Sequence, residues 1–219
     1  SERGPDDNYY GFGESAGHMN KAGRRVRVNP KDAIGHDPEN AGCMYKHIPF
    51  YIKFAGDSRR ACGYFYHNFN DAEFEMGSEI SGYWPPYTYY TADGGDVDLF
   101  FINGPSIGDV IARYTDLTGK TVLPPKYSLG YIGSTMYYSE LPDKCDGEIV
   151  DFVDRNFEEG IPVDAFHLSS GYCVGEDGLR YVFTWNDKRF PDPERFFAEM
   201  QKRGVPVSPN IKPGMLLTH

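Results

Sequence analysis

The sequence predicts two architectures in succession: an antiparallel β-sandwich, then an α/β region with parallel strands. Three observations carry this. Short apolar or alternating segments, separated by Gly, Asn and Asp, fill the first half, as in a sandwich. Leu123-Pro124-Pro125-Lys126 follows as a rigid linker, because neither proline can sit inside a helix or a central strand. Beyond it, β and α patterns alternate, an order that implies parallel strands with right-handed crossovers. The boundary is placed at the linker, giving one domain over 1–122 and a second over 123–219.

In the first domain, Val26 and Val28 alternate with basic residues. Ile48 to Phe54 is a short apolar run expected to be buried on both sides, and Ala61 to Tyr66 is another. Asp96 to Ile102 follows a turn at Asp93-Gly94-Gly95. Ser106 to Tyr114 carries apolar residues at helical spacing, with Ser106 as cap and Gly119 as stop. In the second domain, strands are expected at Tyr127–Gly133, Val163–Leu168 and Val205–Ile211. Helices are expected at Gly147–Glu159, with Ile149, Phe152, Val153 and Phe157 on one face, and at Pro193–Lys202, with Phe196, Phe197 and Met200 inward. The long polar-aromatic insert 171–192 lies beyond the C-terminal end of the second strand, the end where β/α barrels place their chemistry. Three parallel strands do not close a barrel, so the sheet reads as unfinished.

The net charge of −10 disfavours a nucleic-acid partner, which needs clustered Lys and Arg. The one basic cluster, Arg24-Arg25-Val26-Arg27, reads as the solvated face of a strand rather than an anion site. No apolar run approaches the ~18 residues of a membrane span. The four cysteines are far apart without a CxxC pair, which argues against zinc and for separate thiols, and no metal or cofactor is expected. Aromatics reach 16%, with 17 Tyr and 15 Phe. An apolar ring with a polar tip suits the C–H faces and hydroxyls of a sugar, and it equally fills β-sandwich cores.

Several stretches, in order, resemble glycoside hydrolase family 31. They are Tyr10-Gly11-Phe12-Gly13-Glu14, read as a turn, and Tyr45-Lys46-His47-Ile48-Pro49-Phe50. Asp98 to Gly104 with Leu117-Thr118-Gly119, Pro124 to Gly130, and Gly160 to Asp164 continue the match. Phe183-Thr184-Trp185-Asn186 with Arg189-Phe190-Pro191-Asp192-Pro193 completes it. Each motif is weak alone; six in order are strong. The resemblance implies that 1–122 is the later part of a galactose-mutarotase-like β-sandwich. It implies that 123–219 holds the first β/α units of a (β/α)8 TIM barrel, with the chain truncated at both ends. It also implies a retaining α-glycosidase or transglycosylase with a carbohydrate substrate, whose two catalytic carboxylates lie ~5 Å apart. Both are expected on later strands, downstream of His219. Asp164 sits at the wrong end of its strand, and Asp177 and Asp187 read as solvated turn residues.

What this chain should contribute is sugar recognition. Where the family's second strand usually ends in a motif like "(L/M)D-I-D-Y", this sequence reads Leu168-Ser169-Ser170-Gly171-Tyr172, so both acids are missing. A serine is shorter and neutral, and both donates and accepts. Ser169 and Ser170 therefore either admit a different sugar or keep a weaker hydroxyl contact to the same one. Met136, at the end of the first strand, either lines the site or packs. Lys212, after the third strand, either meets an anionic group or forms a rim ion pair. Asp32, His36 and Asp37 fall in the stretch matching a loop that reaches the active-site mouth in this family. The missing acids keep open a second possibility, a non-catalytic carbohydrate-binding protein of the same fold.

Overall fold

In the computed structural model, residues 1–30, 35, 37 and 43–211 are described, apart from the side chains of Cys43 and Thr135. The chain divides into two compact units, Ser1–Thr121 and Val122–His219.

The first unit has seven strands: β1 (Asn8–Ser15), β2 (Arg25–Val28), β3 (Cys43–Phe54), β4 (Ala61–Tyr66), β5 (Ala72–Glu75), β6 (Tyr89–Ala92) and β7 (Leu99–Asn103), followed by helix α1 (Ile107–Thr118). They form two antiparallel sheets, β1-β3-β4-β7 and β2-β5-β6. β3 is buried on both sides at its centre, because successive side chains on a strand point to opposite faces. Tyr51 joins Tyr9 and Phe12 against Val26, Val28 and Phe74 of the other sheet and Met76 just past β5. Phe50 and Ile52 pack with Phe65, Ile102 and Val110 on the side covered by α1. There Tyr114 stacks on Phe50 with ring centroids 3.9 Å apart. Ser106 caps α1 as expected: its hydroxyl accepts from Asp109 N at 3.1 Å, and Asp109 accepts from Ser106 N at 3.0 Å.

Gly63 of β4 sets how closely α1 approaches. A Cβ there would lie 2.7 Å from Val110 Cγ1 and 2.9 Å from Phe50 Cε2. Gly63→Ala should therefore lower unfolding free energy by ~1–3 kcal/mol through overpacking, read as an earlier denaturant midpoint with unchanged slope.

Two details differ from expectation. Tyr10–Glu14 is not a turn but the middle of β1, where Gly11, Phe12 and Gly13 take positive φ (131°, 71° and 82°) and the pairing with β3 shifts register. The glycines that suggested a turn make a bulge instead. β5 and β6 were not anticipated, because at four residues each they are too short for a pattern to stand out. The basic cluster is a strand face as expected: Arg25 lies 3.1 Å from buried Glu75 and 2.6 Å from Glu79, and Arg27 lies 3.1 Å from Glu73.

The second unit runs β8 (Ile132–Thr135), α2 (Met136–Ser139), α3 (Cys145–Glu158), β9 (Ala165–Leu168), α4 (Pro193–Lys202) and β10 (Val207–Pro209). The sheet is parallel, in the order β10-β9-β8. α3 buries Cys145, Ile149 and Val153, and α4 buries Phe196 and Met200, all in one cluster with Phe166 and Leu168 of β9. Arg203 ties the two helices through Asp154, with Nε–Oδ1 at 2.7 Å and Nη2–Oδ2 at 2.8 Å. Phe157, expected inward, is 42% exposed and lies outside this cluster. The first strand begins later than predicted, because Lys126–Leu129 coil into a 3-10 turn closed by Ser128 N on Pro125 O at 3.0 Å.

Candidate functional site

The parallel register aligns the C-terminal ends of all three strands. Thr135 of β8 and Pro209 of β10 both pair with Leu168 of β9. The next residue on each strand is Met136, Ser169 or Asn210, so the sheet sets these three side by side along one edge. Asn210 N donates to Leu168 O at 2.9 Å, and the Tyr172 hydroxyl donates to Asn210 O at 3.2 Å. Met136 opens α2 and is 57% exposed.

Ser169 is half-buried with extended backbone, and its hydroxyl does not cap the short turn Ser170–Cys173 that it precedes. Ser170 is held. Its Oγ accepts from Arg180 Nε at 2.8 Å, and Arg180 Nη2 donates to Glu140 Oε1, also at 2.8 Å. Arg189 makes a second clamp, donating from Nη1 to Gly171 O at 2.7 Å and Ser139 O at 3.5 Å. Both arginines come from the long insert after β9 and join the segment after β8 to the turn after β9. Gly171 is buried in that junction: a Cβ on it would lie 2.4 Å from Ser139 O and 2.4 Å from Glu140 Cγ.

Glu140, Arg180 and Arg189 were not anticipated. The two arginines follow Glu140 by 40 and 49 residues, and the parallel pairing of β8 and β9 brings them to it. Of the expected site residues, Ser169, Ser170 and Met136 reach this edge, while Lys212, Asp32 and His36 lie outside the described residues. Asp37 is an exposed residue of the first unit.

The other candidate groups have structural work. Asp164 precedes β9 at the opposite edge, where its Oδ2 accepts from Tyr131 N at 2.9 Å. Asp177 closes a turn through Leu179 N at 3.0 Å and holds the Tyr181 hydroxyl. Burial pushes the thiols of Cys145 and Cys173 up, away from a reactive thiolate. Among the described residues no group of three His, Cys, Asp or Glu could hold a metal ion, and no helix is long and apolar enough to cross a membrane.

The aligned strand edge brings together hydroxyls, a carboxylate and two guanidinium groups, and comparison with known proteins names the family. Residues 1–75 match the glycosyl hydrolase 31 N-terminal galactose mutarotase-like domain. Residues 121–218 match the glycosyl hydrolases family 31 TIM-barrel domain. Alpha-glucosidase 2 of Bacillus thermoamyloliquefaciens is 31% identical over 95% of this chain and 24% of its own length. Alpha-xylosidase XylQ of Lactiplantibacillus pentosus is 31% identical over 96% of this chain and 25% of its own. The chain thus spans about a quarter of these curated relatives. In fold it resembles the Flavobacterium johnsoniae family 31 dextranase complexed with glucose, with a TM-score of 0.78 at 24% identity, over 95% of this chain and 23% of that one. The chain belongs to glycoside hydrolase family 31, matching its galactose-mutarotase-like N-terminal domain and its TIM-barrel domain.

Proposed function

We propose that this chain is the sugar-binding opening of a retaining α-glycoside hydrolase or transglycosylase acting on α-linked oligosaccharides or glycosides. In this reading, residues 1–122 complete a β-sandwich and residues 123–219 begin a (β/α)8 barrel. The nucleophile and the acid/base stand on later strands, and this chain alone has no hydrolase activity.

One observation carries the reading. The parallel sheet has a covered face, with Phe166 and Leu168 under α3 and α4, and an uncovered one, with Ile132 41% exposed and Ser134, His167 and Ser208 exposed. Parallel sheets bury both faces. A barrel interior supplies the missing cover, and its mouth is the edge where Met136, Ser169 and Asn210 align.

We also propose a sugar other than α-glucose. Ser169 and Gly171 stand where the family motif carries acids, and a neutral hydroxyl anchors a sugar less strongly than a carboxylate does. The relatives differ among themselves, two being named α-glucosidase and α-xylosidase.

The test assays the full-length protein on p-nitrophenyl α-glycosides of glucose, xylose, galactose and N-acetylgalactosamine. Turnover with a preference for a sugar other than glucose supports the reading. Sugar binding by calorimetry without turnover of any glycoside assigns the protein instead as a non-catalytic binder. Neither turnover nor binding overturns it.

A further inference from the structure

We propose that Glu140 is a sugar-binding carboxylate of this site and that Arg180 positions it, an inference that rests on the glycosidase reading. The sequence shows a strand end stripped of its acids; the structure returns one from the neighbouring strand. The chain leaving β8 turns through α2 and brings Glu140 against the turn after β9. A Cβ on Gly171 would meet Glu140 Cγ at 2.4 Å, so the Glu140 side chain runs where a side chain at 171 would begin.

Its orientation is fixed. Arg180 Nη2 donates to Glu140 Oε1 and Nε donates to Ser170 Oγ, each at 2.8 Å. The rigid guanidinium fork holds these two acceptors at a set separation, which a lysine could not do. Ser170, having accepted from Arg180, keeps its own O–H to donate. Glu140 Oε2 and the Ser169 hydroxyl have no hydrogen-bond partner among the described residues, and the Glu140 side chain is 32% exposed. A free carboxylate oxygen beside two serine hydroxyls matches a polyol, whose adjacent hydroxyls donate to the one and accept from the others. Arg180 balances the charge of Glu140, while Arg189 beside them is spent on two backbone carbonyls. An ion pair this exposed adds little stability, so a purely structural role explains it poorly.

The experiment uses the full-length protein and the glycoside it turns over fastest among the four above, together with that glycoside's monodeoxy analogues. Glu140→Gln should raise KM ~10-fold or more, the scale of one lost charge-assisted hydrogen bond, with kcat within ~3-fold and melting temperature nearly unchanged. One deoxy analogue that the wild type handles poorly should no longer be penalised by the variant, because its missing hydroxyl has lost its acceptor. Arg180→Ala should reproduce the KM effect, and Arg180→Lys should rescue it only in part. If wild type turns over the glycoside while Glu140→Gln keeps its KM and every deoxy penalty, the inference fails and the hydrolase reading stands. If the wild type neither turns over nor binds any of the four sugars, both fall together.

Discussion

Gly171→Asp, which would put the second acid of the family motif back into this chain, should destroy the proposed sugar site rather than restore it. The reason is steric before it is electrostatic. The first atom of any side chain at 171 arrives 2.4 Å from the Ser139 carbonyl oxygen and 2.8 Å from its carbon. Backbone cannot swing aside as a side-chain end can, so the segment after β8 must move as a whole. Overpacking of this kind costs ~1–3 kcal/mol, and a second carboxylate in a buried junction against Glu140 adds a desolvation and like-charge penalty of similar size. Together they should cost ~3 kcal/mol or more, a large share of the ~5–15 kcal/mol that holds a typical domain folded. The Arg180 and Arg189 clamps would be forced apart with it, because both end on this junction. Scanning calorimetry of the full-length protein should show a melting temperature lowered by several degrees, and kcat/KM should be lost. Ser169→Asp is the control. That position already carries a side chain, half-buried and without a cap bond, so an acid there should fold and shift sugar preference. If Gly171→Asp melted like wild type and gained activity on α-glucosides, the junction would be looser than the geometry requires.

The contrast between positions 169 and 171 also marks how far the sequence could be read. Its apolar periodicity located α1, α3 and α4 and the central strands, because burial on one face of a helix or two faces of a strand leaves a repeating pattern. It misjudged places where a local signal has two structural meanings. Gly11 and Gly13 announce positive φ, and a bulge uses that as readily as a turn. Phe157 has the spacing of the buried face of α3 but lies in its last turn, past the reach of the core cluster. The missing acids were plain from the motif at Leu168–Tyr172. Their structural counterpart was not, because Glu140 meets Arg180 across 40 residues and only through parallel pairing. Short-range pattern carries packing; it does not carry a polar junction between two strand ends.

Phe166→Ala should be the most damaging single truncation in the second unit, and the reason bears on function as much as on stability. β9 is the central strand, and Phe166 is 1% exposed at its middle, opposite Gly133 on one side and Val207 on the other. Gly133 offers no side chain to fill a void: its missing Cβ already sits 3.0 Å from the Phe166 ring. Phe152 of α3 meets the same ring with centroids 6.0 Å apart. Truncation to Ala therefore leaves a cavity lined by groups that cannot collapse into it, at a cost of ~3–5 kcal/mol, whereas Phe166→Leu keeps most of the volume and should cost ~1.5 kcal/mol or less. The two variants separate packing from chemistry, because neither touches a polar group of the site. Their effect should reach it through register. Ser170 and Glu140 meet Arg180 only while β8 and β9 stay paired up to Thr135 and Leu168, and the ring of Phe166 packs α3 against that pair. Chemical denaturation should show a lower midpoint for Phe166→Ala with unchanged slope, and KM should rise in proportion to the destabilisation across Phe, Leu and Ala. A KM that stays constant while the midpoint falls would mean that the strand edge is held by its arginine clamps alone.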